Sequence, residues 1–391
     1  MPDGREATAV RVIQSLGEVT PEAWDACAGD ANPFVSHAFL SALEDSGSAT
    51  AESGWLGQHL LIEDTLGGLL AAAPLYLKNH SYGEYVFDWG WADAFERAGG
   101  RYYPKLQCSI PFTPVTGPRL LVKAGLEASR QSELRETLVA AMVTLAERHD
   151  ISSVHITFPT EHEWRGMGHQ KLLMRQGQQF HWHNEGYADF DDFLAALSSR
   201  KRKAIRRERR VVRETGLTIE ALSGDAIAEH HWDAFYRFYR ATTDKKWGSS
   251  YLTREFFSLL GERLGERVVL IHVADEAGRS IAGALNLAGT EALYGRNWGC
   301  LQEVPFLHFE ACYYQAIDYA ITHGLARVEA GAQGPHKIQR GYLPAATYSA
   351  HWVAHEGLAR AISHFIDEER AGIEREMAFL ADESPYRKSD D

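Results

Sequence analysis

The period of the apolar positions changes along the chain and then repeats. Apolar and aromatic residues at short spacing predict strands over residues 58–62, 69–77, 84–91 and 115–122. Over 126–149 the period lengthens to that of a helix, with Leu134, Leu138, Ala141, Met142 and Leu145 on one face. A buried strand is predicted at 153–158, and Thr160 with Glu163 three residues on reads as the capping box of the next helix. The second half runs through the same order. Helices are predicted at 226–243 and 253–264, strands at 268–274, 280–288 and 292–298, a helix at 307–323 and a strand at 327–330. An irregular loop at 333–344, a strand at 348–354 and a helix at 357–380 follow, with SPYRKSDD expected to fray. Two consecutive strand-and-helix units without sequence identity imply a duplicated α+β fold, each half a mixed twisted sheet with flanking helices. The expected division is 1–188, a polar helical arm at 189–216, and 217–391.

Composition narrows the class. The chain has 391 residues, 45% hydrophobic and 24% charged, as befits soluble globular domains rather than a disordered or fibrous chain. Its length allows two or three domains. The 40 basic and 53 acidic residues leave a net charge of -13, so any contact with nucleic acid or anionic lipid has to be local. One such place exists, because nine of the fourteen residues from Arg200 to Arg213 are basic. That run is either the solvated face of a helix or a seat for a polyanion: tRNA, the CoA phosphates or anionic headgroups. Leu194, Leu197, Ile205 and Val212 recur at rough helical spacing, which would let the arm attach to the inner face of a membrane. The longest near-apolar run, 66–77, falls well short of the roughly 20 residues that span a bilayer, and MPDGREATAVRV has no apolar stretch behind a basic segment. Neither a transmembrane helix nor a signal peptide is expected. Cys27, Cys108, Cys300 and Cys312 form no CxxC pair, so no disulfide framework or thiolate zinc site is signalled and a cytoplasmic location is expected. His181 and His183 would share a strand face, with His155 as a possible third, but no further ligand spacing supports a metal.

Longer motifs are more specific. YGEYVFDWGWADAFERAG, YYPKLQCSIPFTPVTGPRLL, QFHWHNEGY, SSRKRKAIRRERR, YGRNWGC, LHFEACYYQAIDYAI and EAGAQGPHKIQRGYLPAATYSAHW occur in this order. Together they resemble the bacterial FemAB-like predicted N-acyltransferases, often described as peptidoglycan biosynthesis or recognition proteins, within the acyl-CoA N-acyltransferase (GNAT) superfamily. The resemblance implies tandem GNAT-like domains. It leaves the chemistry open, because the superfamily holds acyl-CoA enzymes, Fem ligases that take aminoacyl groups from tRNA, and members resembling bacterial ceramide synthases. The leading expectation is an acyl-CoA-dependent N-acyltransferase acting on a primary amine, with a lipid-type amine such as a sphingoid base favoured. Aminoacyl-tRNA-dependent transfer to a peptidoglycan-type amine and a non-catalytic headgroup-binding protein are the alternatives.

In a GNAT fold a splayed strand offers a backbone N–H to the thioester carbonyl, and the CoA pyrophosphate rests on the N-terminus of the following helix. The resemblance puts residues 294–314 in that position, with Gly299, Cys300, Leu301 and Phe306 as donor contacts. The usual glycine-rich pyrophosphate signature is replaced there by GCLQEVPF. His308 and Glu310 are candidates for accepting the proton that an alkylammonium of pKa near 10 must lose before attack, although Glu310 could equally serve only the helix dipole. In the loop and strand at 333–352, His336, Lys337, Arg340 and Gly341 could hold a phosphate or carboxylate, or the cations could pair internally with Glu310 and Glu329. Tyr348 is, by analogy with the superfamily, the candidate for protonating the leaving thiolate. Period two would place Tyr85, Phe87, Trp89 and Trp91 on one face of a strand and Asp88 on the other, forming either a core ladder or a wall for substrate. Lys105, Arg296, Trp298 and His351 complete the candidate substrate contacts. No cysteine stands in an activating motif, so direct attack in a ternary complex is expected.

Overall fold

The computed structural model describes residues 9–246, 250–331 and 334–387, so Gln333 of the expected binding loop lies outside the described residues. The chain forms two compact units, residues 1–177 with 347–371 and residues 178–346 with 372–391.

In the first unit β1 (Val10–Ile13), α1 (Pro21–Ala28) and α2 (His37–Asp45) lead into four short strands, β2 (Leu56–Gly57), β3 (His59–Glu63), β4 (Leu69–Ala73) and β5 (Leu75–Lys78). Then come α3 (Trp89–Arg97), β6 (Lys105–Cys108), β7 (Leu121–Val122), α4 (Ala128–Arg148), β8 (Ser153–Thr157) and α5 (Glu161–Met167). Strands β1, β3, β4 and β7 pair antiparallel, while β2, β5, β6 and β8 form a mixed sheet in which β6 and β8 are parallel. Leu134, Leu138, Val139 and Met142 of α4 bury their predicted face against Leu60, Ile62, Leu106 and Val154, at roughly 1.5–3 kcal/mol for each large side chain. The capping box at Thr160 and Glu163 is present.

Two expected strands are corrected. Residues 84–91 are not extended: Gly83 and Tyr85 adopt φ 79 and 60, and Asp88 opens α3. Left-handed backbone at two near-adjacent positions breaks a ladder. Of 115–122 only Leu121–Val122 pairs, because the buried Arg119 guanidinium takes the carbonyls of Val115 (2.7 Å), Gly117 (3.1 Å) and Thr157 (3.0 Å), which would otherwise need strand partners.

The chain passes into the second unit within β9 (Leu173–His183), and α6 (Phe190–Ala196), α7 (Ser199–Arg213), β10 (Thr218–Ser223), α8 (Glu229–Lys246) and α9 (Arg254–Leu264) follow. Next are β11 (Val268–Ala274), β12 (Ser280–Ala288) and β13 (Ala292–Cys300). A helical run then opens as α10 (Leu307–Phe309), widens into a π-turn at Glu310–Tyr314 and continues as α11 (Gln315–Thr322). The chain ends with β14 (Arg327–Glu329), β15 (Leu343–Val353) and α12 (Glu356–Asp382). The second unit's sheet has the order β10-β11-β12-β13-β14-β9, antiparallel except for β13 and β14.

The stretch expected as a separate polar arm, 189–216, is part of the second unit. Phe193, Leu194, Leu197, Ile205 and Val212 sit in the second unit's core, and the boundary expected after residue 188 falls at Gly177. A narrow apolar stripe, hidden in sequence by the density of cations, anchors both helices. With Ile205 and Val212 committed inward, that stripe is not available for insertion into a membrane. The terminal segment expected to fray is also held at its start, since Tyr386 bridges Leu197 and donates to the Gly341 carbonyl at 2.9 Å.

One feature positions the site. Strand β12 pairs along β13 to Cys300, but β14 pairs only with Ala292, Leu293 and Tyr294. The β12 register then slips, leaving Arg296 as an extra residue, and a bulge of this kind bends its strand. Farther on, α8 seats directly on Gly299, where a Cβ would lie 2.1 Å from the Phe238 carbonyl oxygen. Gly299→Ala is therefore expected to cost about 1–3 kcal/mol through overpacking, read as a lower urea midpoint at unchanged slope; an unchanged midpoint would contradict this seating.

Candidate active site

Beyond Tyr294 the edge of β13 that faced β14 has no strand partner among the described residues. The helical run that follows begins at Phe306, at φ 65, with no side-chain cap for its opening amides. On this first turn the Arg340 guanidinium lies 3.4 Å from the Phe309 ring centroid. His308 packs against Trp298 at 5.5 Å and Tyr313 at 5.4 Å. The Tyr313 hydroxyl and His336 Nε2 are hydrogen bonded at 3.0 Å. Burial, with Arg340 and Lys337 close by, keeps His336 below the usual histidine range, while burial raises the Tyr313 phenol.

The cations of the loop are tied differently from either expected pairing. Arg340 donates to the His336 carbonyl (2.8 Å) and to Glu208 (2.9 and 3.0 Å), leaving its Nε without an acceptor. Lys337 has no carboxylate partner among the described residues: its buried Nζ donates to the carbonyls of Ala330 (2.7 Å) and Gly331 (2.9 Å), and burial pushes its ammonium down to about 8. Glu310 is buried, with Arg209 (2.9 Å) and Gln315 (2.8 Å) on its carboxylate. Arg209 also binds Asp318 at 2.7 Å. A carboxylate fixed in this way is poorly placed to take a substrate proton. Gly341, at φ 92 with the Phe193 ring where a Cβ would go, is required by the backbone. Cys300 ends β13 and Leu301 is exposed just beyond it. Arg296 sits at the bulge.

Other expected residues belong to the first unit. The Tyr348 ring packs against Trp164 at 4.7 Å within the first unit. Asp88, Trp91, Lys105 and His351 do come together, in a buried polar network. Lys105 Nζ donates to Ser81 Oγ (2.7 Å), Glu84 Oε2 (2.7 Å) and Asp88 Oδ2 (2.5 Å), and the Tyr102 hydroxyl donates to the same Asp88 oxygen at 2.8 Å. Burial opposes ionisation of Asp88, but Lys105 and then His155 overturn it, so its carboxyl stays well below the usual range. Burial pushes Glu84 up to about 7 and Lys78, 3.9 Å from it, down to about 7. His155 and His351 meet Nδ1 to Nδ1 at 2.7 Å, so one donates and the other accepts, and Trp91 covers both rings. Trp89 lies outside the network, 39% exposed, with its ring against Tyr82.

Sequence reasoning missed Glu208, Arg209, Tyr313, Glu84 and Lys78. Glu208 was the one visible signal, a lone acid inside the basic run.

A tandem α+β fold whose second unit parts two parallel strands ahead of an uncapped helix is the GNAT-like arrangement, the fold of an acyltransferase. The chain belongs to the FemAB-like family of peptidoglycan biosynthesis or recognition, whose model matches residues 15–388. Among solved structures it is similar to FemX, at 12% identity and a TM-score of 0.55 over 91% of this chain and 100% of that one. It is also similar to the C-terminal domain of a putative lysylphosphatidylglycerol synthetase from Agrobacterium fabrum (8%, TM-score 0.54, over 90% and 97%) and to L-PGS from Bacillus licheniformis (8%, TM-score 0.51, over 86% and 98%). At such identities the likeness is one of fold. No curated protein matches the sequence. Among the described residues no helix is long and apolar enough to cross a membrane, and no cluster of three or more His, Cys, Asp or Glu could hold a metal.

The buried imidazoles set a pH dependence. Burial, with Lys105 beside it, holds His155 uncharged down to about 3, whereas an unfolded histidine protonates near 6.5. Between those values only the unfolded chain binds the extra proton, so stability falls as the pH drops from about 6.5 towards 3. His155→Gln is expected to flatten that limb in urea titrations at a series of pH values; an identical slope would contradict the assignment.

Proposed function

We propose that the protein transfers an acyl group from acyl-CoA to a primary amine, with the donor held in the second unit. The observation that carries this reading is the parting of β13 from β14. An N–H on the free edge of β13 can donate to a thioester carbonyl oxygen where negative charge develops, without reorganising at the moment of reaction. The uncapped start of the helical run suits the CoA diphosphate, and Arg340 adds a cation beside that turn. Trp298, His308 and Phe309 supply apolar walls. The Tyr313 and His336 pair brings a hydroxyl and an uncharged imidazole to the same turn, the hydrogen-bonding groups a leaving thiolate uses. His336, Lys337 and Arg340 thus support donor binding and sheet geometry, and Tyr348 is no longer the preferred acid.

A lipid-type amine remains the leading acceptor. A second reading is aminoacyl-tRNA-dependent transfer, favoured by one observation. At 100° per residue Arg200, Lys203, Arg206, Arg207, Arg210 and Arg213 fall on one side of α7, and all are exposed. The pairs of Arg206 with Asp191 and of Arg210 with Glu214 are surface pairs that neutralise little of that face.

Purified protein is expected to release thiol from long-chain acyl-CoA when a sphingoid base or another primary amine is added, indifferent to RNase, and Arg340→Met is expected to raise the KM for acyl-CoA about tenfold, or roughly 1.4 kcal/mol. Silence with every acyl-CoA and amine, together with RNase-sensitive transfer from aminoacyl-tRNA, would overturn the first reading in favour of the second.

A further inference from the structure

We infer that Glu329 is the group that takes the proton from the acceptor amine, a role that rests on the acyl-transfer reading above and deepens it. Tyr294 of β13, Glu329 of β14 and His181 of β9 are register partners in three neighbouring strands. Register partners project to the same side of a sheet, so these side chains form a single row. It is the last row before β13 and β14 part. The opposite side of the sheet is occupied, because Leu293, Val328 and Trp182 pack with Leu307 and Ala311 of the helical run. The row therefore lies on the side on which α8 seats against Gly299, across the sheet from the helix start assigned to the donor.

The hydrogen bonding of this row is incomplete. Glu329 is 3% exposed, and Arg327 Nε donates to its Oε1 at 3.0 Å. Among the described residues its Oε2 has no hydrogen-bond partner, and neither does Nε2 of the buried His181, 8% exposed and 3.8 Å away. Leaving a buried acceptor unpaired costs about 1–3 kcal/mol. Two such atoms facing each other at the last row before β13 and β14 part are accounted for by a nitrogen of the acceptor settling beside them. Both oxygens of Glu310 accept hydrogen bonds, Oε1 from Arg209 and Gln315 and Oε2 from Arg209 Nε at 3.2 Å. Burial raises the Glu329 carboxyl, which strengthens it as a base, and Arg327 keeps it ionisable. His181, held uncharged down to about 3 by burial and by Arg327, cannot neutralise it.

The step balances. The alkylammonium gives one proton to Glu329 Oε2, and the freed lone pair forms the C–N bond at the thioester carbonyl carbon. The tetrahedral oxyanion collapses, the C–S bond breaks, and the proton still on nitrogen ends on the thiolate sulfur, leaving an amide and a free thiol. Glu329 then returns its proton to water. The same groups bound the pH dependence: Arg327 and Glu291 around the carboxylate, His181 and His183 on β9, Tyr294 on β13, and Lys337 acting on His181.

The test compares two acceptors at neutral pH, dodecylamine, which is protonated, and hydroxylamine, which is already a free base, with long-chain acyl-CoA as donor. Glu329→Gln is expected to lower kcat with dodecylamine about a hundredfold or more, to leave the KM for acyl-CoA unchanged, and to change the hydroxylamine rate little. Its acid limb in the kcat–pH profile with dodecylamine should vanish. Glu329→Asp, which keeps the carboxylate, should recover part of the dodecylamine rate and shows by its melting curve whether the position tolerates change. Equal loss with both acceptors, or none with dodecylamine, would overturn the assignment while leaving acyl transfer standing. A wild-type protein that acylates neither acceptor would overturn the acyl-transfer reading and Glu329's role together.

Discussion

Two parallel strands that begin paired and then separate impose a cost, because each backbone N–H and C=O along the gap loses its ladder partner. The second unit meets that cost with specific residues. Lys337 carries its buried ammonium to the carbonyls of Ala330 and Gly331, just past the end of β14. The extra residue at Arg296 turns β13, and the bare Gly299 lets α8 lie on it. With the carbonyls just past β14 taken by a lysine and the β13 edge without a strand partner among the described residues, the gap differs from a closed sheet, in which each strand's backbone groups are taken up by its neighbours.

Charge is distributed with similar economy. Arg209 closes off Glu310 and Asp318, Glu208 receives Arg340 and the Tyr314 hydroxyl, and Arg327 engages half of Glu329. In the first unit Lys105 gathers Ser81, Glu84 and Asp88 around one ammonium. Buried ions are tolerated only when partners are supplied in number, and removing one partner strands the rest.

Much of the fold was legible from neighbouring residues. The helical face of α4, the Thr160 and Glu163 box and the strand order of the second half are local patterns, and each is present. Residues 84–91 misled because alternation of aromatics was taken for a strand, when Gly83 and Tyr85 take left-handed backbone and the two acids turn inward to Lys105. The arm at 189–216 misled because its cations outnumber the few apolar residues that bind it to the core. In the candidate site, the motif at 294–314 spans the strand and the helical run beside the parted edge, but it could not show that Arg209 closes off Glu310.

The sequence alone determined periodicity, caps, the tandem order and the family, since these rest on residues a turn or a strand apart or on motifs read in line. Tertiary structure alone decided which ionisable groups are spent on one another. Arg209 and Glu310 are 101 positions apart, and Glu208 and Arg340 are 132 apart. The cost of burying a charge, and the relief a partner brings, depend on what surrounds it in space, which no spacing along the chain records.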